Sequence, residues 1–340
     1  MINRRNFIKT STLAIVGITL SVGVMAQSTS KGLRVGIIGL DTSHSIAFTK
    51  ALNAPNADAI FGGYKVVAAY PQGSLDIKSS VERIEANTNE MKKFGVEIVN
   101  SIESLLEKVD VILLETNDGR RHLEQALPVL KAGKRMFIDK PMAASLADAM
   151  TIFNAARRYN LPVFSASSLR YIKGMAEIKN GAAGKILGAD VYSPCTLEKT
   201  HPDFFWYGIH GVETLFTAMG TGCKTVARVT TEDTDVAVGT WQDGRIGSFR
   251  GLRAGKKDYG GTIFCEKGNK VLGSYNGYNP LLEDIIKFFQ TGVVPVQPEE
   301  TLEILAFMEA ADLSKKKGGV PVSIDDVMKK ARKKSLKHKF

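Results

Sequence analysis

Short apolar runs alternate with amphipathic stretches through the first half of the chain. The apolar runs lie at 33–40, 64–70, 109–114, 135–138 and 162–166, and they predict strands that are buried on both faces. Stretches with helical periodicity follow Ser43 and lie at 79–94, 102–108, 121–132 and 146–159. Regular alternation of strands and helices predicts an α/β fold with a parallel sheet.

The second half of the chain has a different pattern. Strand-like runs at 185–194, 224–230, 234–241, 245–252 and 260–266 are separated by turn signals such as Asp243-Gly244. Two late stretches, 280–290 and 299–315, carry apolar faces at helical spacing. This half therefore predicts hairpin-linked strands followed by two helices, and the 340 residues predict about two domains.

Residues 1–26 have the composition of a targeting leader. Arg4-Arg5 precedes Phe7-Ile8-Lys9, which resembles the twin-arginine export motif, and a mild apolar run from Ser11 to Val24 follows. We expect cleavage near Ala26 and an exported, periplasmic protein that uses the twin-arginine machinery; a membrane anchor left uncleaved is the alternative. This pathway carries folded proteins, often with a cofactor already loaded.

The formal net charge of +10 is concentrated at the two ends of the chain. The leader and the basic tail, residues 328–340, account for the excess, so the body is close to neutral and does not predict nucleic-acid binding. The three cysteines, Cys195, Cys223 and Cys265, are widely spaced. Their odd number excludes a complete disulfide framework, and no metal-ligand spacing is present, so no metal site is predicted.

The strand at 135–138 ends in Asp139-Lys140-Pro141, an acid and an amine followed by a residue that stops the strand. Ligands of parallel α/β sheets bind at the carboxyl ends of strands. A lysine beside a carboxylate in such a place can transfer protons. From these three residues alone, a surface lysine that closes a loop is an equal alternative.

The turn after the first strand, Gly39-Leu40-Asp41-Thr42-Ser43-His44, has the position of a dinucleotide-binding turn but only part of its glycine pattern. Asp41 and His44 occupy the second and third glycine positions. Asp41 is expected to place bulk and charge near the phosphates, so that Asp41→Gly would leave affinity unchanged or raise it. Either Asp41 or Ser43 can cap the following helix, and His44 has a capping, phosphate-facing or simple loop role.

The chain resembles the Gfo/Idh/MocA oxidoreductase family in several motifs that occur in the family's order and spacing from about residue 33 to 327. These motifs are VGIIGL at 35–40, ETNDGRRHLEQALPVLKAGKRMFIDKP at 115–141, SLRY at 168–171, GKILG at 184–188 and GIHGVE at 208–213. The resemblance implies a Rossmann domain, 33–167, that binds NAD or NADP tightly. It also implies a C-terminal α/β domain, 168–327, whose large open, mainly antiparallel sheet binds substrate and forms a homo-oligomer.

The resemblance also implies roles for individual residues. Lys140 and His210 map onto the catalytic pair. The implied cofactor-binding positions are Gly39, Leu40, Asp41, Thr42, Ser43, His44, Tyr70, Thr116, Asn117, His122, Asp139 and Pro141, and the implied substrate-binding positions are Arg170, Tyr171, Trp206 and Tyr207. The chain departs from the family at Trp206, where an aspartate often precedes the histidine, and at Tyr70, which no acid follows.

Three functions remain open at this point. The first is an NAD(P)-dependent oxidoreductase that acts on a hydroxyl of a sugar, a cyclitol or a related carbohydrate. The second is a glycoside-cleaving enzyme that oxidises its substrate transiently and then reduces it again. The third is a non-catalytic sugar-binding or partner-binding relative with a degenerate cofactor site, which the altered 39–44 turn favours.

Overall fold

The computed structural model describes residues 32–338, so the predicted leader lies outside the described residues. The first half of this region forms a six-stranded parallel sheet in the order β3-β2-β1-β4-β5-β6. The strands are β1 (Arg34–Ile38), β2 (Lys65–Tyr70), β3 (Glu97–Ile98), β4 (Val111–Leu114), β5 (Arg135–Asp139) and β6 (Val163–Ala166). Their order reverses between β1 and β4, which is where ligands bind in doubly wound sheets.

Five helices connect these strands: α1 (Ser43–Asn53), α2 (Lys78–Lys93), α3 (Ile102–Leu106), α4 (His122–Lys131) and α5 (Leu146–Arg158). The side chain of Thr42 accepts a hydrogen bond from the N–H of His44 and caps α1. The sequence predicted Asp41 or Ser43 in that role. Neither serves, because the Asp41 carboxylate is engaged with two other loops.

The second half forms a seven-stranded sheet in the order β12-β11-β7-β10-β9-β8-β13. The strands are β7 (Ile186–Pro194), β8 (Cys223–Thr230), β9 (Thr234–Trp241), β10 (Ile246–Leu252), β11 (Gly260–Cys265), β12 (Lys270–Leu272) and β13 (Val322–Ser323). Only β7 and β10 pair in parallel among these neighbours. The predicted fold class, a Rossmann domain followed by a mainly antiparallel sheet, is confirmed.

The remaining helices are α6 (Met175–Lys179), α7 (Ile209–Met219), α8 (Asn279–Thr291), α9 (Pro298–Lys316) and α10 (Ile324–Ser335). Helices α7 and α9 pack against one face of the second sheet. Gly211 allows α7 to approach closely, since a Cβ there would lie 2.2 Å from the ring of Phe249. The other face of the sheet exposes Tyr192 and Ile246, the latter by 57%.

Side chains of the two domains pack against each other across the boundary that the sequence placed at residue 167. Helix α8 comes late in the chain, yet Leu281, Ile285 and Phe288 are buried in the core of the first sheet. The ring centroids of Phe288 and Phe164 of β6 lie 5.0 Å apart. Helix α8 is therefore packed into the core of the first domain, although it follows the strands of the second sheet in the chain.

The boundary predicted at 327 falls inside α10. Val327 and Ala331 are buried against the rest of the fold, so the first part of the predicted basic tail is a packed helix whose lysines face outward. Acidic Asp325 and Asp326 begin this helix and basic residues end it, which complements its dipole. Within residues 32–338, no helix combines the length and apolar character needed to cross a bilayer.

Candidate active site

A cleft of about 210 Å³ lies where β1, β4 and β5 end, at the predicted ligand-binding edge of the parallel sheet. Its lining comes from both domains: Thr42, Ser43, His44, Ser79, Arg83, Asn117, Lys140, Ser168, Leu169, Trp206, Tyr207, His210, Tyr259, Tyr275 and Tyr278. The two residues predicted to be catalytic are therefore brought to one cleft.

Lys140 reaches the cleft because β5 ends at Asp139, one residue before it. The backbone N–H of Lys140 donates to Oδ1 of Asp139 at 2.8 Å, and its Nζ lies 3.8 Å from Oδ2. Burial alone would raise the pKa of Asp139, but His44 and Lys140 beside it hold that pKa below its usual value. An ionised Asp139 thus stands under the amine that faces the cleft.

His210 enters the cleft from the first turn of α7, and Ser167 orients its ring. Nδ1 of His210 lies 2.7 Å from Oγ of Ser167, which also accepts the N–H of Leu169 at 3.1 Å. This contact orients the ring, and the hydroxyl donates to Nδ1 or accepts from it according to the tautomer. Burial lowers the pKa of His210 well below its usual value, so the ring is neutral at neutral pH. No sequence signal pointed to Ser167.

His44, at the third glycine position of the turn, is also part of the cleft. Its ring is buried edge-on against Tyr278, with centroids 4.6 Å apart. Its Nδ1 lies 2.8 Å from Oδ2 of Asp139 and 3.8 Å from Oε2 of Glu115. Burial, reinforced by Asp139, raises the pKa of Glu115 well above its usual value. The sequence left the role of His44 open, and the structure places it among the titratable groups of the site.

Asp41, at the second glycine position, does not present its charge to the cleft as expected. The residue is fully buried. Its Oδ2 accepts hydrogen bonds from the backbone N–H and the hydroxyl of Ser74, at 2.8 and 2.6 Å, and its Oδ1 accepts the N–H of Asn117 at 3.1 Å. Asp41 therefore joins the loops that follow β1, β2 and β4. The expectation of a charge facing bound phosphates was wrong, because the carboxylate is buried and its oxygens accept hydrogen bonds from Ser74 and Asn117.

These loops are joined at a second place. Arg120, after β4, forms ion pairs with Asp118 and with Asp76, which lies in the loop after β2. Burial would raise the pKa of Asp118, but His201 and Arg120 beside it hold that pKa below its usual value. Nε2 of His201, a residue without a predicted role, lies 3.2 Å from Asp118 Oδ1. Side chains of this protein therefore bridge the crevice near β1 and β4, where the order of the strands reverses.

The residues in and around the cleft fit the nicotinamide end of a dinucleotide differently from its adenosine end. Asn117, Lys140 and His210 line an open cleft that suits a nicotinamide. Asp41 fills the position at which a glycine would let a pyrophosphate approach the backbone. Gly73 packs tightly against it, since a Cβ on Gly73 would lie 2.3 Å from the Asp41 carboxylate. The mouth of the cleft offers Ser43, Ser79 and Arg83 to phosphates.

Several predicted cofactor positions lie beneath the cleft and do not line it. Gly39 has a φ of +89° and its missing Cβ makes room for Thr116, which is buried. His122 is fully buried, with Nε2 2.6 Å from the carbonyl oxygen of Thr116 and Nδ1 3.0 Å from that of Pro141. Leu40 is also fully buried, and the carbonyl of Tyr70 accepts the N–H of Gly39. These residues hold the loops in place.

The four predicted substrate residues divide into two pairs. Trp206 and Tyr207 line the cleft, whereas Arg170 and Tyr171 do not appear in its lining. The guanidinium of Arg170 lies 2.7 Å from Glu300 and 3.4 Å from Glu213. The hydroxyl of Tyr171 donates to Asp284 at 2.6 Å. Both side chains are engaged in holding α7, α8 and α9 together.

An aromatic wall lines the same cleft as Lys140, and three of its five rings had no predicted role. Tyr259, Tyr275 and Tyr278 join Trp206 and Tyr207, with the rings of Tyr275 and Tyr278 edge-on at 5.6 Å. Burial raises the pKa of Tyr259 and of Tyr275, so both keep their hydroxyl protons. Three of these tyrosines lie between strand β10 and helix α8, in loops whose position the periodicity could not reveal.

Known proteins with similar sequences are inositol dehydrogenases. The chain is 24% identical over 152 residues to inositol 2-dehydrogenase of Salmonella paratyphi B, a match that spans 44% of this chain and 40% of that protein. The same values hold for the inositol 2-dehydrogenase of Salmonella typhimurium. The match thus spans less than half the length of these curated relatives.

Similar solved structures cover most of the chain. A chain from Thermotoga maritima, described as a probable dehydrogenase, has a TM-score of 0.71 at 20% identity and covers 87% of this chain and 100% of its own length. Scyllo-inositol dehydrogenase from Lactobacillus casei, solved with NAD(H) and scyllo-inositol, has a TM-score of 0.67 at 16% identity, with coverage of 87% and 100%. At these identities the likeness establishes the shared fold.

Residues 33–167 match the family model described as the oxidoreductase family with an NAD-binding Rossmann fold. The matched region coincides with the domain that ends at β6 and carries Lys140 at its ligand-binding edge. The N-terminal domain of the chain, residues 33–167, therefore matches the NAD-binding Rossmann domain of the Gfo/Idh/MocA oxidoreductase family.

Proposed function

We propose that this protein is an NAD(P)-dependent oxidoreductase that acts on a ring hydroxyl of a cyclitol, a sugar or a related carbohydrate. The observation that carries the proposal is the convergence of Lys140, from the end of β5, and His210, from the start of α7, on one cleft. Both residues were expected at the reacting hydroxyl from the family resemblance. The inositol dehydrogenases among the relatives support the substrate class.

The chemistry divides between the cofactor and the side chains. When bound, the nicotinamide supplies the hydride acceptor or donor. Lys140 and His210 bind the hydroxyl oxygen of the substrate and hold its proton as the carbon is oxidised. Because Nδ1 of His210 is engaged with Ser167, Nε2 is the ring nitrogen left for the substrate hydroxyl, and the neutral ring can accept its proton. Asp139 balances the charge of Lys140 from below.

The aromatic wall supports a cyclic polyol as substrate. Rings such as Tyr278 and Trp206 offer flat apolar surfaces with polar tips, which suit the alternating C–H and O–H groups of a sugar ring. At about 210 Å³ the cleft is below the ~300–1,000 Å³ of ordinary small-molecule sites. A cofactor and a substrate together would therefore require the loops joined by Asp41 and Arg120 to part.

The joined loops also favour a second candidate function. A protein that encloses its cofactor retains it between turnovers, and an enzyme that re-reduces its own substrate has no need to exchange it. Cleavage of a glycoside through transient oxidation and re-reduction is such a reaction. It uses the same Lys140 and His210 and differs in returning the hydride to the product.

The test begins with the protein purified from a host in which it is exported. The protein is denatured and the released nucleotides are identified by mass spectrometry, and the intact protein is then mixed with inositols, free sugars and aryl glycosides. Reduction of the bound or added nicotinamide is followed by absorbance, and cleavage by release of the aryl group. Lys140→Ala is compared with Lys131→Ala, which changes an exposed lysine on α4.

We expect bound NAD or NADP, and activity that Lys140→Ala removes and Lys131→Ala retains. Nicotinamide reduction without cleavage identifies an oxidoreductase, and cleavage without net reduction identifies the second candidate. A protein that binds a carbohydrate but neither binds nicotinamide nor reacts is a binding protein, and the proposal is then wrong.

A further inference from the structure

Three residues that ligate metals in many proteins meet beneath the cleft. His44 lies in the first turn of α1, Glu115 directly follows β4 and Asp139 ends β5, so three separate elements each contribute one side chain. Their ligand atoms all lie within 4.8 Å of one another, and all three residues are buried. The three residues are far apart in the sequence and form no motif with metal-ligand spacing. The sequence therefore predicted no metal site.

The carboxylate of Glu115 has no partner in the described part of the chain. Its side chain is fully buried, and neither Oε1 nor Oε2 has a hydrogen-bond partner among residues 32–338. A buried carboxylate without a partner is costly to the fold, since it loses its hydration and gains nothing in return. Such a group indicates that something else satisfies it.

The contact between His44 and Asp139 also leaves buried polar atoms without a hydrogen-bond partner among the described residues. Nδ1 and Oδ2 lie 2.8 Å apart, but their alignment does not make a hydrogen bond, and both atoms are without a partner among the described residues. The other oxygen of Asp139 accepts the N–H of Lys140 and is therefore satisfied. Atoms that approach without pointing at each other are expected when both point at a common third atom.

The charges of the cluster also leave room for a cation. Glu115 and Asp139 carry two carboxylates, and the nearest amine, Nζ of Lys140, lies 3.8 Å from Asp139 Oδ2, beyond hydrogen-bonding distance. Lys140 therefore leaves the carboxyl group of Glu115 without a hydrogen-bond partner in the described part of the chain. A divalent ion between the three ligands would satisfy Glu115 and the free oxygen of Asp139 at once.

We propose that His44, Glu115 and Asp139 form a binding site for a divalent transition-metal ion such as Zn²⁺ or Mn²⁺. One imidazole nitrogen with two carboxylates is a mixed donor set that these ions accept, whereas Mg²⁺ and Ca²⁺ prefer oxygen ligands throughout. The ion ties together the loops after β1, β4 and β5, which form the floor of the cleft. This site goes beyond the proposed oxidoreductase function and does not depend on it.

The site is tested by metal content and binding, which require neither substrate nor nicotinamide. The full chain is purified without chelators, its metals are measured by inductively coupled plasma mass spectrometry, and the protein stripped with dipicolinate is titrated with Zn²⁺ and with Mn²⁺ by calorimetry. Glu115→Gln removes one ligand at constant shape. Glu213→Gln, another fully buried glutamate, is the matched control.

We expect one ion per chain in the parent protein and in Glu213→Gln. Glu115→Gln should bind at least about tenfold more weakly, because even residues that only support a ligand cost about 10–100-fold when replaced. The parent should also gain thermal stability on adding the ion, and Glu115→Gln should not.

The measurement on the parent decides the question even if the variant does not fold. A parent protein that binds no more Zn²⁺ or Mn²⁺ than expected from its surface overturns the proposal. Equal binding by the parent and by a folded Glu115→Gln also overturns it. If the parent binds no metal and Glu115→Gln is as stable as the parent, Glu115 is protonated in the folded protein and the cluster needs no metal ion.

Discussion

Oγ of Ser167 lies 2.7 Å from Nδ1 of His210, so a residue that directly follows β6 of the first domain fixes the histidine ring of the second. An aspartate on the same helix often fills this role in the family, and the sequence offered Trp206 at that position. The hydroxyl of Ser167 is neutral, so it orients the ring without adding a charge. His210 therefore lies in the cleft as a neutral ring, in the same lining as Lys140.

The first prediction concerns Lys140 and His210 as a pair. Lys140→Ala should lower turnover roughly a hundredfold or more, the usual effect of losing a positioned acid–base group. Lys140→Arg should not restore it, because arginine stays protonated. His210→Ala should cost a similar factor, and the double variant should be little worse than either, since residues that act as a unit are not additive. Steady-state kinetics on the identified substrate measures this, with nicotinamide content as the control. Losses that multiply would show that the two residues act separately.

The second prediction revises the expected effect of changing Asp41. The carboxylate accepts three hydrogen bonds from Ser74 and Asn117 while fully buried. Asp41→Gly should therefore destabilise the fold by several kcal/mol, since charged buried hydrogen bonds contribute about 1.5–3 kcal/mol each. It should not raise cofactor affinity. Urea unfolding measures the change, and Asp58→Gly, at an exposed turn, serves for comparison. Unchanged stability together with tighter binding would restore the earlier interpretation from the sequence.

The third prediction concerns pH and Glu213. Burial raises the pKa of Glu213 to about 7 from its ordinary value of 4.5. The folded state then binds a proton that the unfolded state lacks, so the free energy of unfolding falls as the pH rises from about 4.5 to about 7. Glu213→Gln should remove up to roughly 3 kcal/mol of this pH dependence. Unfolding in urea across that range measures it, with exposed Glu82→Gln as the control. A parent and variant with parallel pH profiles would contradict the expected titration.

The fourth prediction concerns the open face of the second sheet, which we propose as the homo-oligomer interface. Tyr192 and Ile246 point from this face, and Ile246 is 57% exposed. Ile246→Lys should convert an oligomer to monomers, because a lysine in the interface would be buried without a partner. Val293→Lys, at a site of 70% exposure away from the sheet, should not. Light scattering after size exclusion measures the mass. A parent protein that is already monomeric would rule out this interface.

The fifth prediction concerns the leader, which lies outside the described residues. Replacing both Arg4 and Arg5 by lysine should abolish export, because the paired arginines carry the predicted twin-arginine signal. The amount of protein in the periplasmic fraction measures the effect. A single Lys9→Ala change should have a smaller effect. Undiminished export of the doubly substituted protein would mean that another route, or no export, applies.

The pattern of the sequence predicted most of the strands and helices of both sheets, but not the short elements β3, β12, β13 and α6 or the helix α10. The apolar runs and helical stretches fall within a few residues of the observed elements, because strands buried on both faces must be apolar throughout and helices at a surface cannot be. Asp139-Lys140-Pro141 placed the lysine at a strand end for a local reason: proline stops the ladder. The family resemblance then supplied His210, which the structure brings to the same cleft.

Tertiary structure alone decided what the altered turn does. The carboxylate of Asp41 could have faced bound phosphates, and only the approach of Ser74 and Asn117 turned it into a link between loops. Tertiary structure also decided that Ser167 contacts His210. It likewise brought together the cluster of His44, Glu115 and Asp139. A parallel sheet brings together the ends of strands that are distant in the chain, and no local periodicity records which side chains meet there.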